Sequence, residues 1–436
     1  MRPRTSDQRP GGSRHAALAL AFLLAGLAAS TRADTSRVKT GRGTFLVEIA
    51  AEDLVARGEG DDLVLVGPGD EELRLRPDPE RPEGASREPI LTIRRGGRPV
   101  ATIRRISTAQ VQVQPTAVGP GRTILGGGRM GAAWTLAITP DGKTLASGHQ
   151  GSLRVWDLAA RTERFNVPVP KIVRRVALTP DGSTIASTEY TFADGKPVGN
   201  VVVRDGKTGE VRKVGKPVET GLHGVAIDHD GKVIVSSSWG EADIHVWDAA
   251  TAGEVGTLKG HTGAVATIAY SPDGKALASA GDTTVRLWDV DSGTVRKVFR
   301  GHTKSVESVA FSGDGKTLAS GGGDETARAW DVATGRLLAT VECDDPVLAV
   351  AISPDGKSIA SASARWGNGF YDQSPAEVQV WDVATSRRIA KLPDQPSQVF
   401  SMVYTPDGKS LITASLSGAV IVWDLAAFGP KADAPK

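Results

Sequence analysis

One cysteine, Cys343, stands alone in 436 residues. A lone cysteine excludes an internal disulfide and any metal site built on cysteine ligands. The seven histidines are dispersed, with no His-x-x-x-His and no Glu-x-x-His, so metal-ligand spacing is missing too. No Gly-x-Ser-x-Gly marks a nucleophile, and no kinase signature is present. The Gly-rich run Gly126–Gly131 is followed by neither Lys-Ser nor Lys-Thr, which argues against a phosphate loop. Aromatic residues make up only 5% of the chain, yet nine are Trp. The longest apolar run, Ala16–Ala29, falls short of the ~18 residues a membrane-spanning helix wants.

That run is read with its flanks. Arg2, Arg4, Arg9 and Arg14 precede it, and Thr31-Arg32-Ala33 follows as a small-x-small cleavage pattern. A basic start, an apolar middle and small residues before the cut describe a secretory signal peptide over 1–33. The alternative is an uncleaved N-terminal membrane anchor. Without residues 1–33 the chain holds 47 basic and 49 acidic residues, a net charge near −2. No basic excess remains to attract nucleic acid.

What the chain has in abundance is a repeat. Trp-Asp occurs at Trp156, Trp247, Trp288, Trp330, Trp381 and Trp423, and Arg204-Asp205 is a degenerate copy. The seven units are spaced 48, 43, 41, 42, 51 and 42 residues apart. An Asp-Gly turn precedes each, at Asp141, Asp181, Asp230, Asp273, Asp314, Asp355 and Asp407. Such turns between alternating strands read as hairpins, because Gly accepts positive φ. Four short strands per ~40–45 residues is the pattern of a β-propeller blade. The expected fold is all-β: a seven-bladed propeller of four-stranded blades over 122–427, with a disordered tail over 428–436. The last repeat runs out of chain before its fourth strand. Thr123–Gly126 is expected to supply it by pairing with Ala419–Trp423, which leaves no long free edge.

The repeat resembles the WD-repeat family, in its bacterial, exported form, over about 300 residues. That resemblance implies a His–Asp–Ser–Trp hydrogen-bond chain in each blade. It maps onto His261, Asp282, Ser279 and Trp288 in the fourth repeat, and onto His302, Asp324, Ser320 and Trp330 in the fifth. The other five repeats lack the Gly-His, so the fourth and fifth are expected to be the most rigid.

Residues 40–115 contain no Trp and are rich in charge. Alternation over Thr44–Ile49, Asp62–Val66 and Glu72–Arg76 reads as strands. Ile90–Arg95 and Arg98–Ile103 read as a hairpin about Gly96-Gly97. Gln110–Gln114 adds a further candidate strand. The expectation is a small β-sandwich-like domain.

The resemblance also places one position of each first strand on the propeller's narrow top rim. Those residues are Trp134, Arg174, His223, Ala266, Glu307, Leu348 and Phe400. Two insertions, Glu189–Gly199 and Ala364–Glu377, map to the same face with Tyr190, Phe192, Trp366, Phe370 and Tyr371, and Trp239 joins them. Aromatic and Arg residues exposed together make interaction hot spots. Trp134, Arg174, His223, Leu348, Phe400, Trp239, Trp366, Phe370 and Tyr371 are therefore the candidate partner-binding set. Replacing Trp134 and Phe400 by Ala is expected to leave the melting temperature nearly unchanged.

The function expected is a non-catalytic interaction scaffold, periplasmic or extracellular, monomeric and without cofactor, with a protein or peptide partner and no nucleic acid. Membrane contact enters only if the leader is retained. Two alternatives stand beside it. One is a propeller hydrolase or lactonase with a metal held by His149, His223 and Glu307 in the channel. The other is an envelope protein docked by its N-terminal domain, with the propeller as spacer.

Overall fold

The computed structural model describes residues 34–40, 43–49, 55–59, 62–66, 72–75, 91–95, 98–105, 116–117, 121–126, 131–193, 196–219, 221–238, 240–364, 376–393, 395 and 397–428. The chain divides into two units, Met1–Val118 and Gly119–Lys436. The first contains a four-stranded sheet ordered Asp34–Thr40, Gly43–Ile49, Arg98–Arg105, Leu91–Arg95. It also contains a three-stranded sheet of Val55–Glu59, Asp62–Val66 and Glu72–Leu75. Asp34–Thr40 and Val55–Glu59 were not legible as strands. The candidate strand Gln110–Gln114 lies outside the described residues, as do the leader 1–33 and the tail from residue 429.

The second unit is an all-β propeller whose only helix among the described residues is the 3-10 turn Leu425–Ala427. It has six sheets, not the seven separate four-stranded sheets expected. The first two repeats share one six-stranded sheet, and the closing sheet has five strands. The cause of the sharing is Thr162–Leu178, a single 17-residue strand. One end pairs with Thr144–Asp157 (Leu153 opposite Val167), and the other pairs with Thr184–Ala193 (Val176 opposite Ser187). The segment holds Pro168 and Pro170 but no Gly, so nothing forces the chain to turn between the repeats.

Innermost strand segments from all seven repeats nonetheless pack side by side around one axis. They run from Ala133–Ile138 through Thr162–Leu178, Leu222–Ile227, Thr267–Tyr270, Val306–Phe311 and Val347–Ile352 to Val399–Tyr404. The last returns to the first, where Leu136 N–H donates to Ser401 Oγ at 3.0 Å. The ring closes as the sequence suggests. Val420–Asp424 pairs antiparallel with Arg122–Gly126, Val422 opposite Thr123.

The hairpins form for a local reason. Ser271 Oγ donates to Asp273 Oδ1 at 2.6 Å, the same carboxylate takes the Lys275 N–H, and Gly274 has φ 71°. Each Trp-Asp aspartate organises the next turn. Asp289 Oδ1 accepts from Ser292 N at 2.8 Å, and Oδ2 accepts from Arg296 Nε at 2.7 Å. The core sits between sheets, where Trp156, Trp247, Trp288 and Trp423 are among the largest fully buried side chains.

Candidate functional site

Every repeat tryptophan donates its indole N–H to a hydroxyl on the second strand. Trp288 reaches Ser279 at 2.7 Å and Trp330 reaches Ser320 at 2.8 Å. Trp156 reaches Ser147 at 2.8 Å and Trp423 reaches Thr413 at 3.0 Å. In the fourth repeat His261 Nε2 meets Ser279 Oγ at 2.7 Å and Nδ1 meets Asp282 Oδ2 at 3.0 Å. The fifth repeats the chain, with His302 at 2.8 Å from Ser320 and 2.9 Å from Asp324. Burial holds both imidazoles below the usual histidine pKa, although the paired carboxylates pull the other way.

Three repeats replace parts of this chain in ways the sequence did not announce. In the first, His149 lies two residues beyond Ser147 rather than before the first strand, yet its Nε2 meets Ser147 Oγ at 2.9 Å. Burial presses it to about 3, so it is neutral. In the second, Glu189 takes the place of His149 and Arg204 that of the tryptophan. Arg204 Nη2 donates to Glu189 Oε1 at 2.6 Å, and Ser187 Oγ donates to the same oxygen at 3.0 Å. Both side chains are 5% exposed. In the sixth, Cys343 stands four residues before Val347, as His302 stands before Val306, and its Sγ lies 3.5 Å from Ser361 Oγ. Burial pushes the thiol up to about 11. The signal for all three was the slot alignment itself, read for substitutes rather than for His and Trp.

Four of the seven positions expected on the rim, Phe400, Trp134, Arg174 and His223, come together as a belt. Trp134 and Phe400 stack with centroids 4.8 Å apart. The Arg174 guanidinium lies 4.7 Å from the Trp134 ring centroid on the same system. Arg174 Nη2 meets His223 Nε2 at 2.8 Å, and His223 Nδ1 meets the Ala266 carbonyl. Burial and the adjacent arginines hold His223 well below the usual histidine range. Side chains from the seventh, first, second and third repeats thus join edge to edge. They are not the solvent-facing cluster expected: Trp134 is 4%, Arg174 9% and His223 5% exposed. Each long side chain lies over its neighbour and removes it from water. Phe400 and Leu348 are half-buried.

The first insertion forms a hairpin, Thr184–Ala193 with Lys196–Asp205, in continuous register from Thr184–Asp205 to Ala193–Lys196. Phe192 is 61% exposed, and Tyr190 packs edge-on to it at 5.8 Å. The hairpin meets the belt at Thr188, whose Oγ1 donates to the His223 carbonyl at 3.3 Å. Gly221, two residues before His223, has φ 69°, and a Cβ there would come within 2.8 Å of Pro197. Trp239, Trp366, Phe370 and Tyr371 lie outside the described residues.

The three residues of the metal alternative are spent elsewhere. His149 bonds Ser147, His223 bonds Arg174 and Ala266, and Glu307 accepts from Ser305 Oγ at 2.6 Å. Among the described residues no group of three or more His, Cys, Asp or Glu converges.

The family profile "WD domain, G-beta repeat" matches residues 124–157, 253–289, 293–331, 335–368 and 386–424. The chain is a WD-repeat protein. The second and third repeats fall outside the matched stretches; the second is the one that carries Arg204 in the tryptophan slot. Among similar proteins is "Small ribosomal subunit protein RACK1" of Drosophila melanogaster, 30% identical over 208 residues, which are 45% of this chain and 48% of that one. "Periodic tryptophan protein 2" of Arabidopsis thaliana is 29% identical over 140 residues, 31% of this chain and 15% of that one. The chain spans less than half the length of these WD-repeat relatives.

Proposed function

We propose that this WD-repeat protein is a non-catalytic scaffold of the cell envelope that holds a protein or peptide against the face formed by the rim belt and the Thr184–Asp205 hairpin. The observation that carries the reading is the hairpin. It extends past the last pairing with Thr162–Leu178, exposes Phe192 at 61% and backs it with Tyr190, while Thr188 lower in the hairpin donates to the His223 carbonyl. An aromatic pair held rigid and wet is suited to anchor a partner at low entropic cost. Membership in the WD-repeat family supports the scaffold part of the reading. The engagement of His149, His223 and Glu307 in structural bonds supports a role without catalysis. Export rests on the character of residues 1–33. We also read the six-stranded sheet as two propeller blades fused through Thr162–Leu178, which keeps seven repeats at work around the axis.

The test is capture from envelope extract by wild type beside a Tyr190→Ser/Phe192→Ser variant. Phe192 is exposed and Tyr190 is half-buried at the outer end of the sheet, so the variant is expected to melt close to wild type. A protein retained by wild type and lost by the variant supports the face. Equal retention by both would sink it.

A further inference from the structure

We propose that the central channel is an oxyanion site, anchored by the Arg175 guanidinium and taking a phosphate or carboxylate group. This goes beyond the scaffold reading and does not rest on it. The first strands enclose a cavity of about 400 Å³. Its wall carries one guanidinium, Arg175, and no aspartate or glutamate. Arg175 donates from Nη1 to the Trp134 carbonyl at 2.9 Å, which uses one of its five N–H groups. Among the described residues no carboxylate forms an ion pair with it. Glu307, the acid that acts on it electrostatically, is tied to Ser305.

Enclosure in the channel presses Arg175 down to about 9, and the adjacent Arg174 charge adds to that effect. At neutral pH it therefore remains a cation, half-buried in the channel, with Glu307 acting on it through space and no carboxylate bonded to it; an arriving anion that bonds its free N–H groups offsets the cost of that enclosure.

The wall also offers oriented donors. Ser308 Oγ accepts from Val350 N at 3.1 Å and Ser401 Oγ accepts from Leu136 N at 3.0 Å. Each hydroxyl spends a lone pair on the neighbouring strand and keeps its own hydrogen to give. Thr135 and Thr267 bring two more hydroxyls to the same wall. One fixed cation ringed by hydroxyl donors is the chemistry that recognises an oxyanion.

Calorimetric titration of the full chain tests this with inorganic phosphate, with a short capped peptide carrying one glutamate, and with its glutamine counterpart. Sodium chloride at matched ionic strength is the blank. Phosphate or the glutamate peptide is expected to bind wild type. Arg175→Gln should weaken that binding by about tenfold or more, and Arg175→Lys by less. Binding of phosphate alone would assign a free anion, and binding of the glutamate peptide a partner's acidic side chain. Heats no larger than those of chloride and the glutamine peptide, or binding unchanged in Arg175→Gln, would overturn the proposal. Should Arg175→Gln fail to fold, a Ser308→Ala/Ser401→Ala variant with undiminished affinity would overturn it equally.

Discussion

At the scale of single residues, burial reverses one expectation. Trp134 was expected to be exposed on the rim, but Phe400 and Arg174 pack against its ring and it is 4% exposed. Trp134→Ala should therefore cost about 3–5 kcal/mol, read from the urea midpoint, rather than leave stability unchanged. A loss below about 1 kcal/mol would mean that the belt opens readily. The second residue-scale case is the buried pair Glu189–Arg204. Removing either partner leaves an uncompensated charge between sheets, so Glu189→Leu and Arg204→Leu should each cost about 3–5 kcal/mol. The double variant should cost much less than their sum, because no charge is then stranded. Additive losses in the cycle would show that the two do not act as a pair. Sequence made the Trp slot visible. It did not show that Glu189 would follow Arg204 into the core, since Glu and Arg are ordinarily surface residues.

At the scale of elements, the bond chains rank the repeats. The fourth and fifth tie the loop before the first strand to the second and third strands through His, Asp, Ser and Trp. Amides of Ala276–Asp289 and Thr317–Asp331 should exchange more slowly than those of Glu377–Asp382, whose Trp381 reaches Ser361 without a histidine behind it. Uniform protection across repeats would remove the chain as a source of rigidity. Strand positions, turns and the closing pair Val420–Asp424 with Arg122–Gly126 were legible, because period-2 alternation and Asp-Gly turns are local signals. The fusion of two repeats into one sheet was not. Whether Thr162–Leu178 breaks or runs on depends on what each end pairs with, and those partners come from opposite directions along the chain, Leu153 against Val167 and Tyr190 against Ile172.

At the scale of the whole molecule, the histidines set the response to acid. Burial lowers the pKa of His149, His223, His261 and His302 in the fold. Each takes up a proton more easily when unfolded, so stability held above about pH 6.5 is lost as the pH falls below it. His245 opposes them. Burial acts against its charge, but Glu254 at 2.7 Å and Glu241 at 2.9 Å outweigh it and raise the pKa. Its contribution is complete below about pH 6.5 and disappears as the pH rises through its folded pKa. Four groups against one predict a net loss of at least about 1 kcal/mol between pH 7.5 and 5, measured by urea unfolding. Glu241→Gln/Glu254→Gln should steepen that loss. A flat profile would mean that the four buried rings are protonated in the fold.

The sequence alone determined the repeat, the all-β class, the hairpin turns and the strand that closes the ring, since each is written in residues a few positions apart or in a period that recurs. Only the tertiary structure decided which polar residues go inside. Trp134, Arg174 and His223 come from different repeats, and their burial follows from lateral contact around an axis. The same holds for Arg175, whose isolation in the channel depends on which side chains six other first strands bring to that wall. Periodicity gives a residue its face. What stands opposite that face is settled when the ring closes.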